Sequence, residues 1–384
     1  MPIEQVLRVE FGKDGEGDKH TGNGWSLAEA GHRWMVGAYS EVTLGPFVKN
    51  GSYLLVMDAD PFVRPPALTA QRLSISIGGV PFLQTELTVG GRYGYRIPPE
   101  LVTADGDLTL VFDHQDAAKP SDLSSRQKDH RTLAISVDSL EIWHVQGEAS
   151  GILPGKPGGL SIAALEERVG MPSVDFMTRF ESLGENCEVG LVQRRAGAEP
   201  LSLLRFANTL LPSLLRGLES GFEGLGELDN LSFRLEEKLK PEYIIQEKKY
   251  GLVYHTFRYK GEIDEDKFVV SESARLKFLV RKFVEDLRSG EKIFALKRIT
   301  PLREEEILPV VAALNAYGPN TLLWVVIADS KHPPGTAEWV MPGLIKGYVD
   351  RFAPNENAHD LSLDVWLELC ANAYALWQQR KVRS

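Results

Sequence analysis

Cysteine is scarce in this sequence: the 384 residues include only Cys187 and Cys370, too few for a disulfide framework. Long apolar runs are missing as well. The best run, residues 321–328, is strand-sized and far shorter than the ~20 residues that span a bilayer. The N-terminal residues lack the apolar core of a secretory signal. We therefore expect a cytoplasmic protein with no transmembrane segment.

An excess of basic residues is absent too. Lysine and arginine number 43 against 53 aspartate and glutamate residues, which gives a formal net charge of −10. A nucleic-acid-binding protein needs a basic face, so we expect no nucleic-acid partner. His-Glu-x-x-His and paired Cys-x-x-Cys motifs are missing, and we therefore expect no metal and no other cofactor.

The length of the chain predicts two domains. Residues 1–146 contain short β-rich runs between Gly- and Pro-containing loops, which predicts an antiparallel, jelly-roll-like β-sandwich. Residues 147–172 begin with a Gly- and Pro-rich stretch and are predicted to be a linker. Residues 173–384 mix helical and strand patterns, which predicts an α+β domain.

The strongest strand and helix signals are as follows. Strands are predicted over 53–57, 73–77, 108–112, 133–137, 251–259, 293–299 and 321–328. Helices are predicted over 161–169 with Ser161 as N-cap, 187–195, 202–218 with a break at Pro212, 273–287, 304–317 and 363–379.

The most informative segment is FESLGENCEVGLVQRR, residues 180–195. Ser182, Gly184 and Asn186 are turn and cap residues, and the apolar run after them is helical in pattern. Cys187 would then lie in the first turn of a helix, where the helix dipole favours a thiolate. The backbone amides there, with the Asn186 side chain, could stabilise an oxyanion. A buried core residue is nevertheless the commoner role of a lone cysteine.

A thiol nucleophile also needs a base, and three histidines follow Cys187. His255 lies on a predicted strand, His332 lies in a Lys-His-Pro-Pro-Gly loop, and His359 precedes the last helix. A cysteine at a helix N-terminus facing a histidine on a downstream strand is a catalytic arrangement. A packed or solvated strand histidine is the commoner alternative for His255.

This pattern resembles a bacterial domain family described as papain-like cysteine peptidases. In that family a Ser-Leu-Gly-x-x-Cys element precedes an aromatic-His-Asp/Thr-Phe element, an Arg-rich helix and a strand that ends in a basic residue. The matching segments here are 182–187, 254–257, 275–288 and 293–298, and the likeness covers about 180–330. The resemblance implies a papain-like domain in which Cys187 is the nucleophile and His255 the base.

Three further residues complete the predicted site. Asp329, at the end of a predicted strand, is our choice for orienting His255, although a turn-forming role is equally open. Arg298 and Arg194 are predicted ligand-binding residues; Arg298 and its neighbour Lys297 could bind an anionic group. One departure from the family is that residues 199–206 lack its Pro-Phe-Asp-Trp stretch.

The N-terminal region carries a second resemblance. Its Ile-Gly-Gly turn at 77–79, Arg-Ile-Pro at 96–98 and Asp-His-Arg-Thr-Leu at 129–133 resemble a β-sandwich module attached to bacterial glycosyltransferases and polysaccharide proteins. The resemblance implies a sugar-binding module with Trp34 as a contact. Trp25 and Tyr93 are other aromatic platforms. A core role for Trp34 and a structural Asp129–Arg131 pair are the alternatives.

Two functions remain in competition. One is a papain-like thiol hydrolase or acyl transferase linked to surface-polysaccharide assembly, acting on a glycan or glycan-linked substrate with polysaccharide-synthesis proteins as partners. The other is a catalytically inactive sugar-binding or scaffold protein of such a complex. A glycosyltransferase is the weakest reading, since no alternation of strands and helices indicates a doubly wound nucleotide-sugar fold.

Overall fold

The computed structural model of the chain describes residues 2–102, 105–236, 240–354 and 357–381. It divides into two compact units, which are described separately. The first unit comprises residues 3–146 together with 303–312. The second comprises residues 147–302 and the part of the chain that follows residue 312.

The first unit is an antiparallel β-sandwich with nine strands in the described residues. They are β1 (Ile3–Glu10), β2 (Arg33–Val36), β3 (Tyr39–Leu44), β4 (Ser52–Pro61), β5 (Gln71–Ile77), β6 (Val80–Leu87), β7 (Gly91–Ile97), β8 (Leu108–His114) and β9 (Leu133–Val145), with a short helix α1 (Pro120–Leu123) before β9. One sheet has the order β1-β9-β4-β7 with β2 also on β9, and the other has the order β3-β8-β5-β6.

Alternating side chains of the two sheets meet in one core. Leu55 and Met57 from β4 are buried against Ile75 of β5 and Phe112 of β8, as the period of two along a strand requires. The antiparallel β-sandwich predicted as an architecture is therefore what the described residues of this unit form. Pattern alone missed β6, whose residues are almost all exposed or half-buried and lack a clear apolar face.

The second unit has helices and strands interleaved along the chain. Its strands are β10 (Ile152–Leu153), β11 (Phe180–Ser182), β12 (Ala207–Asn208), β13 (Leu231–Glu236), β14 (Glu242–Glu247), β15 (Leu252–Tyr259), β16 (Ile293–Lys297), β17 (Thr321–Ile327), β18 (Ala337–Met341) and β19 (Leu344–Val349). The remaining helices are α2 (Ile162–Val169), α3 (Ser173–Met177), α4 (Glu188–Arg195), α5 (Leu211–Ser220), α6 (Glu265–Ser289), α7 (Glu304–Asn315, mostly within the first unit) and α8 (Leu363–Lys381).

The main sheet of this unit has the order β10-β18-β19-β17-β16-β11. Strands β11, β16, β17 and β19 run parallel to one another, and β18 and β10 are antiparallel additions at one edge. The mixed α and β composition predicted for this unit is what the structure has, whereas the parallel direction of these four strands was not predicted. Strands β16 and β17 are apolar on both faces, so their sequences lack the alternation that would have revealed their place.

A second, antiparallel sheet of this unit has the order β12-β15-β14-β13. Helix α5 lies between β12 and β13 in the chain. It begins at Leu211 and has Pro212 in its first turn. The helix predicted over 202–218 is therefore wrong for its first half. Proline fits the first turn of a helix, where its missing N–H has no partner to lose, and so marks a start rather than a break.

The segment predicted as a linker, 147–172, lies within the second unit. Strand β10 pairs with β18, and α2 begins at the predicted cap, with the Ser161 side chain accepting a hydrogen bond from the Ala164 amide. Arg168 of α2 donates to the buried Glu368 of α8 over 2.8 Å. Within the described residues, no helix is both long and apolar enough to cross a membrane.

Candidate functional site

The Cys187 turn begins where strand β11 ends. Gly184 and Glu185 both have positive φ, +84° and +85°, so the chain reverses sharply before the cysteine. A Cβ on Gly184 would lie 2.7 Å from Cγ2 of Thr209, which leaves room only for glycine. Cys187 is the N-cap residue of α4 and is half-buried, and no disulfide joins it to Cys370. The predicted position at a helix N-terminus is what the structure has.

The Asn186 side chain caps the start of α4, and its predicted role as an oxyanion donor stays a prediction. Its side-chain Oδ1 accepts a hydrogen bond from the Glu188 amide over 3.0 Å, which satisfies one of the unpaired N–H groups at the start of α4. That amide is therefore engaged within the turn. The contribution of Asn186 to an oxyanion site is limited to its Nδ2 group.

A buried lysine lies beneath the turn. Nζ of Lys297, at the end of β16, is 3.0 Å from Glu188 Oε2 and 3.3 Å from Glu185 Oε2. Lys297 and Glu188 are 1% and 0% exposed. Nζ makes no hydrogen bond of good geometry, so the attraction is mainly Coulombic. Two carboxylates that flank Cys187 in sequence are thus tied to one cation.

Glu188 is held on its other side as well. Its Oε1 accepts hydrogen bonds from the Ala353 amide over 3.1 Å and from the Trp366 indole over 3.0 Å. Charge-assisted bonds of this kind compensate for burying a carboxylate. The N-terminal turn of α4 is therefore anchored to two other parts of the unit.

His255 lies on β15, and its ring is 35% exposed. Its Nδ1 is 3.3 Å from Oε2 of the buried Glu242 on β14. The other oxygen of Glu242 accepts from the Phe257 amide over 2.9 Å, at a bulge where Phe257 has φ +53°. A carboxylate at Nδ1 favours the tautomer protonated there and leaves Nε2 as the acceptor nitrogen of the ring.

The structure does not bring Asp329 to His255. Its carboxylate accepts hydrogen bonds from His332 Nδ1 and from the amides of Lys331 and His332, all within 3.0 Å. These bonds lower the pKa of Asp329, the His332 side chain contributing most. Asp329 is therefore a turn-forming residue, and the carboxylate at His255 is Glu242.

Cys187, Asn186, His255 and Arg298 line one cavity of about 640 Å³ in the second unit. Its walls also include Phe206 to Leu211 and Ile299. The Cys187 turn and Arg298 follow the carboxyl ends of two adjacent parallel strands, β11 and β16. Ligands of open parallel sheets bind at that edge.

Arg194 is not among the residues that line this cavity, and its predicted role in ligand binding stays a prediction. Its Nε donates to Glu199 over 2.6 Å, and its guanidinium lies 4.8 Å from the Phe206 ring centre and 5.1 Å from that of Phe257. Glu199 also accepts from the buried Arg205. Segment 199–206, which lacks the Pro-Phe-Asp-Trp stretch, thus supplies the carboxylate of Glu199, which binds both arginines.

Oxygen and nitrogen atoms of Glu236, Glu242 and His255 lie within 4.8 Å of one another and could hold a metal ion. One histidine and two carboxylates suit zinc or manganese. Sequence spacing gave no sign of this group, because the two glutamates and the histidine come from three successive strands. Glu242 was missed for the same reason: only the pairing of β14 with β15 brings it to His255.

In the sandwich, the aromatic residues divide into two groups. Trp25 stacks on Phe11 and donates to the Glu41 carbonyl, and the buried Tyr93 donates to the Val89 carbonyl. Both are structural. Trp34 on β2 is half-buried.

The alternative for the Asp129–Arg131 element holds, because the two side chains form an ion pair over 2.7 Å. The Arg131 guanidinium also reaches Glu29 over 2.9 Å. These mutual contacts fasten the loop before β9 to the loop before β2.

The comparisons with known proteins matched solved structures alone. No protein-family model and no curated protein matches the chain. Similar solved structures include a family GH115 4-O-methyl-α-glucuronidase with specificity for decorated arabinogalactans (11% identity, 37% of this chain, 18% of that chain, TM-score 0.25). Two others are the carbohydrate-binding module CBM36 in complex with calcium and xylotriose (12%, 36%, 99%, 0.22) and the CBM22-2 xylan-binding domain from Paenibacillus barcinonensis Xyn10C (13%, 35%, 97%, 0.25).

The chain spans less than a fifth of the length of that glucuronidase and of the similar latent PorU from Porphyromonas gingivalis. All these TM-scores lie below 0.5, so we draw no conclusion about ligand or activity from the likenesses. The papain-like resemblance of the second unit stays a prediction.

The Lys297 cluster makes a prediction about stability. Replacement of Lys297 by methionine leaves Glu188 buried without its cation, which should lower the free energy of unfolding by roughly 3–5 kcal/mol. The double variant Lys297→Met/Glu188→Gln should recover part of this loss, because the neutral amide no longer needs a counterion. Urea unfolding followed by tryptophan fluorescence measures both.

The matched control is Lys331→Met, since Lys331 is exposed and its loss should change stability by less than ~0.5 kcal/mol. Equal stability of the Lys297→Met and Lys331→Met variants would contradict the anchoring role of the cluster.

Proposed function

We propose that the cavity at Cys187 is a thiol-dependent acyl-transfer site, either a hydrolase or an acyl transferase, built on a papain-like order of nucleophile and base. The observation that supports it best is the presence of Cys187 and His255 on the walls of one cavity, with His255 oriented by a buried carboxylate. Nucleophile, base and orienting group are the parts that such chemistry needs.

The reaction would proceed in two steps. Nε2 of His255 takes the Cys187 proton, the sulfur attacks the carbonyl carbon, and a carbon–sulfur bond forms. The bond to the leaving group then breaks as the imidazolium returns the proton to that group. Water or an acceptor hydroxyl, deprotonated by Nε2, attacks the thioester and regenerates the thiol.

Two features favour the charges that develop. The start of α4 places the positive end of a helix dipole at Cys187, which stabilises a thiolate. The Asn186 Nδ2 group and the α4 amides not engaged by its Oδ1 are donors for an oxyanion. The carboxylate of Glu242 lies at Nδ1 of His255 and orients its ring.

A connection with surface polysaccharide, with a glycan-linked substrate, is part of the proposal. It is supported by the motifs at 77–79, 96–98 and 129–133 that resemble a module of polysaccharide proteins.

The first prediction concerns the reactivity of Cys187. Its alkylation by iodoacetamide should follow a pH profile with an inflection well below 8.5, the pKa of an ordinary thiol. Cys370 should stay unlabelled at these pH values, because burial raises the pKa of its thiol to about 12. Peptide mass spectrometry after timed alkylation follows the two thiols separately.

The His255→Gln variant should move the inflection of Cys187 towards that of a free thiol. A wild-type Cys187 that reacts no faster than N-acetylcysteine at pH 6 would argue against the proposed function.

The second prediction separates the two carboxylates considered for His255. Glu242→Gln should slow alkylation of Cys187 at pH 6 by about tenfold, since it removes the carboxylate that orients His255. Asp329→Asn is the matched control and should leave the rate unchanged, because Asp329 contacts His332 instead.

The same experiment tests a second use of His255. If a divalent cation occupies Glu236, Glu242 and His255, EDTA should change the alkylation rate of the wild type and leave that of Glu242→Gln unaltered. A rate for Asp329→Asn as low as that for Glu242→Gln would contradict the assignment of Glu242.

The sandwich supports a second candidate function, sugar binding, because Trp34 retains an exposed part of its ring. The ring meets His32 and Phe62 edge-on, at 5.7 and 6.3 Å between ring centres. Stacking on a sugar ring requires such a partly exposed aromatic face.

We expect the full-length protein to bind at least one bacterial oligosaccharide on an array, and Trp34→Ala to reduce that signal by tenfold or more. Trp339→Ala, in the other unit, is the control. An array without signal would remove the sugar-binding function and leave the thiol site untouched.

A further inference from the structure

Arg298 has a charged edge that the described structure leaves without a partner. Nη1 of its guanidinium donates to the Thr209 carbonyl, whereas Nε and Nη2 are buried and make no hydrogen bond. Within the described residues, no carboxylate oxygen lies at ion-pair distance from this arginine. Leaving donors of a cation desolvated and unpaired is costly.

The chemistry of that edge is specific. Nε and Nη2 lie on the same side of the guanidinium and point their N–H groups in parallel, which matches the two oxygens of a carboxylate or phosphate. The same edge is filled elsewhere in this chain. Nε and Nη2 of Arg72 donate to the two carboxylate oxygens of Asp116 over 2.8 and 2.6 Å.

Nearby acidic groups are already engaged. Glu185, the carboxylate whose charge acts on Arg298, accepts from the Ile299 amide and lies beside Lys297. Burial dominates and lowers the pKa of Arg298. An additional anion would therefore be stabilised by Arg298 without displacing an existing ion pair.

Two exposed apolar side chains line the cavity together with the arginine. Leu210 and Ile299, which also line the cavity, are 69% and 42% exposed. Neither Nε nor Nη2 has exposed surface, so an anion would reach them once the guanidinium turns or its cover shifts. The cavity thus offers apolar walls together with one paired donor edge.

We propose that Arg298 binds an oxyanion on the substrate, so that the Cys187 site acts on acyl groups that carry a carboxylate or a phosphate. The inference rests on the proposed thiol function for its catalytic meaning, but the binding of the anion is independent of it. Arg298 is a specificity residue in this scheme, and His255 and Cys187 keep their roles.

A pair of alkylating reagents of nearly the same size tests the inference. Iodoacetate carries a carboxylate, and iodoacetamide is neutral. The rate constant for iodoacetate is divided by that for iodoacetamide, first at Cys187 and then for N-acetylcysteine. The first quotient should be about ten times the second in the wild type, so the ratio of the two quotients should be about ten. Arg298→Gln should bring it to about one, and Arg298→Lys should give an intermediate value, since lysine keeps the charge without the paired donors.

Arg351→Gln is the matched control, because Arg351 is partly exposed and its guanidinium contacts Asp360. Its ratio should equal that of the wild type if the effect comes from the cavity and not from general charge. A wild-type ratio of one, with iodoacetamide still reacting rapidly, would overturn the inference and leave the thiol function standing.

Thermal unfolding gives a readout that does not depend on the thiol. Succinate or inorganic phosphate at millimolar concentration should raise the unfolding temperature of the wild type and not that of Arg298→Gln. The anion with the larger shift identifies carboxylate or phosphate as the recognised group. If neither anion shifts the wild type, the inference fails even where Cys187 is unreactive.

Discussion

The arrangement of the second unit depends on one buried cation. Lys297 lies at the end of an apolar parallel strand, beneath the turn that presents Cys187, and attracts the carboxylates of Glu185 and Glu188. A lysine that is 1% exposed persists only when its charge is compensated. The compensating charges come from two residues that flank the thiol in sequence. The burial of Lys297 in the sheet therefore also fixes the position of the turn that carries Cys187.

Two neighbouring cations at the end of β16 therefore have different fates. Side chains alternate along a strand, and Lys297 enters the interior whereas Arg298 faces the cavity wall. Sequence alone treats the pair as equivalent basic residues at a strand end. The positions of Glu185 and Glu188 separate them, because these carboxylates neutralise the lysine and leave the paired donor edge of the arginine unused.

The parts of the site that follow from local chemistry were predictable. Gly184 before the thiol, the cap at the start of α4 and the strand position of His255 are all written in short segments, and the structure has them. The contact of Glu242 with His255 was not predictable. The two residues are thirteen positions apart, and only the pairing of β14 with β15 brings them together. Asp329 follows Cys187 and His255 in the order expected of a catalytic triad. Its carboxylate nevertheless accepts a hydrogen bond from His332, three residues later in the chain. Local partners compete effectively for an exposed carboxylate, since they require no long-range folding.

The direction of the strands in the main sheet of this unit could not be predicted from the sequence, and the reason lies in burial. Strands β16 and β17 are covered on both faces. Their sequences therefore indicate that the strands are buried, and they do not indicate whether the strands pair in parallel or antiparallel. An apolar strand next to a helical connection can pair in either direction, so its sequence does not predict the sheet topology. A turn that contains glycine and a capping asparagine adopts few conformations, so its sequence predicts the local structure.

The parallel arrangement has a chemical consequence. It places the carboxyl ends of β11 and β16 side by side, and Cys187 and Arg298 follow these two ends. The proposed nucleophile and the proposed anion-binding edge then line the same cavity, and the proposed base His255 comes from β15 of the antiparallel sheet. Chemistry at this site is thus assembled from two sheets of one unit, and neither sheet alone contains a complete set of groups.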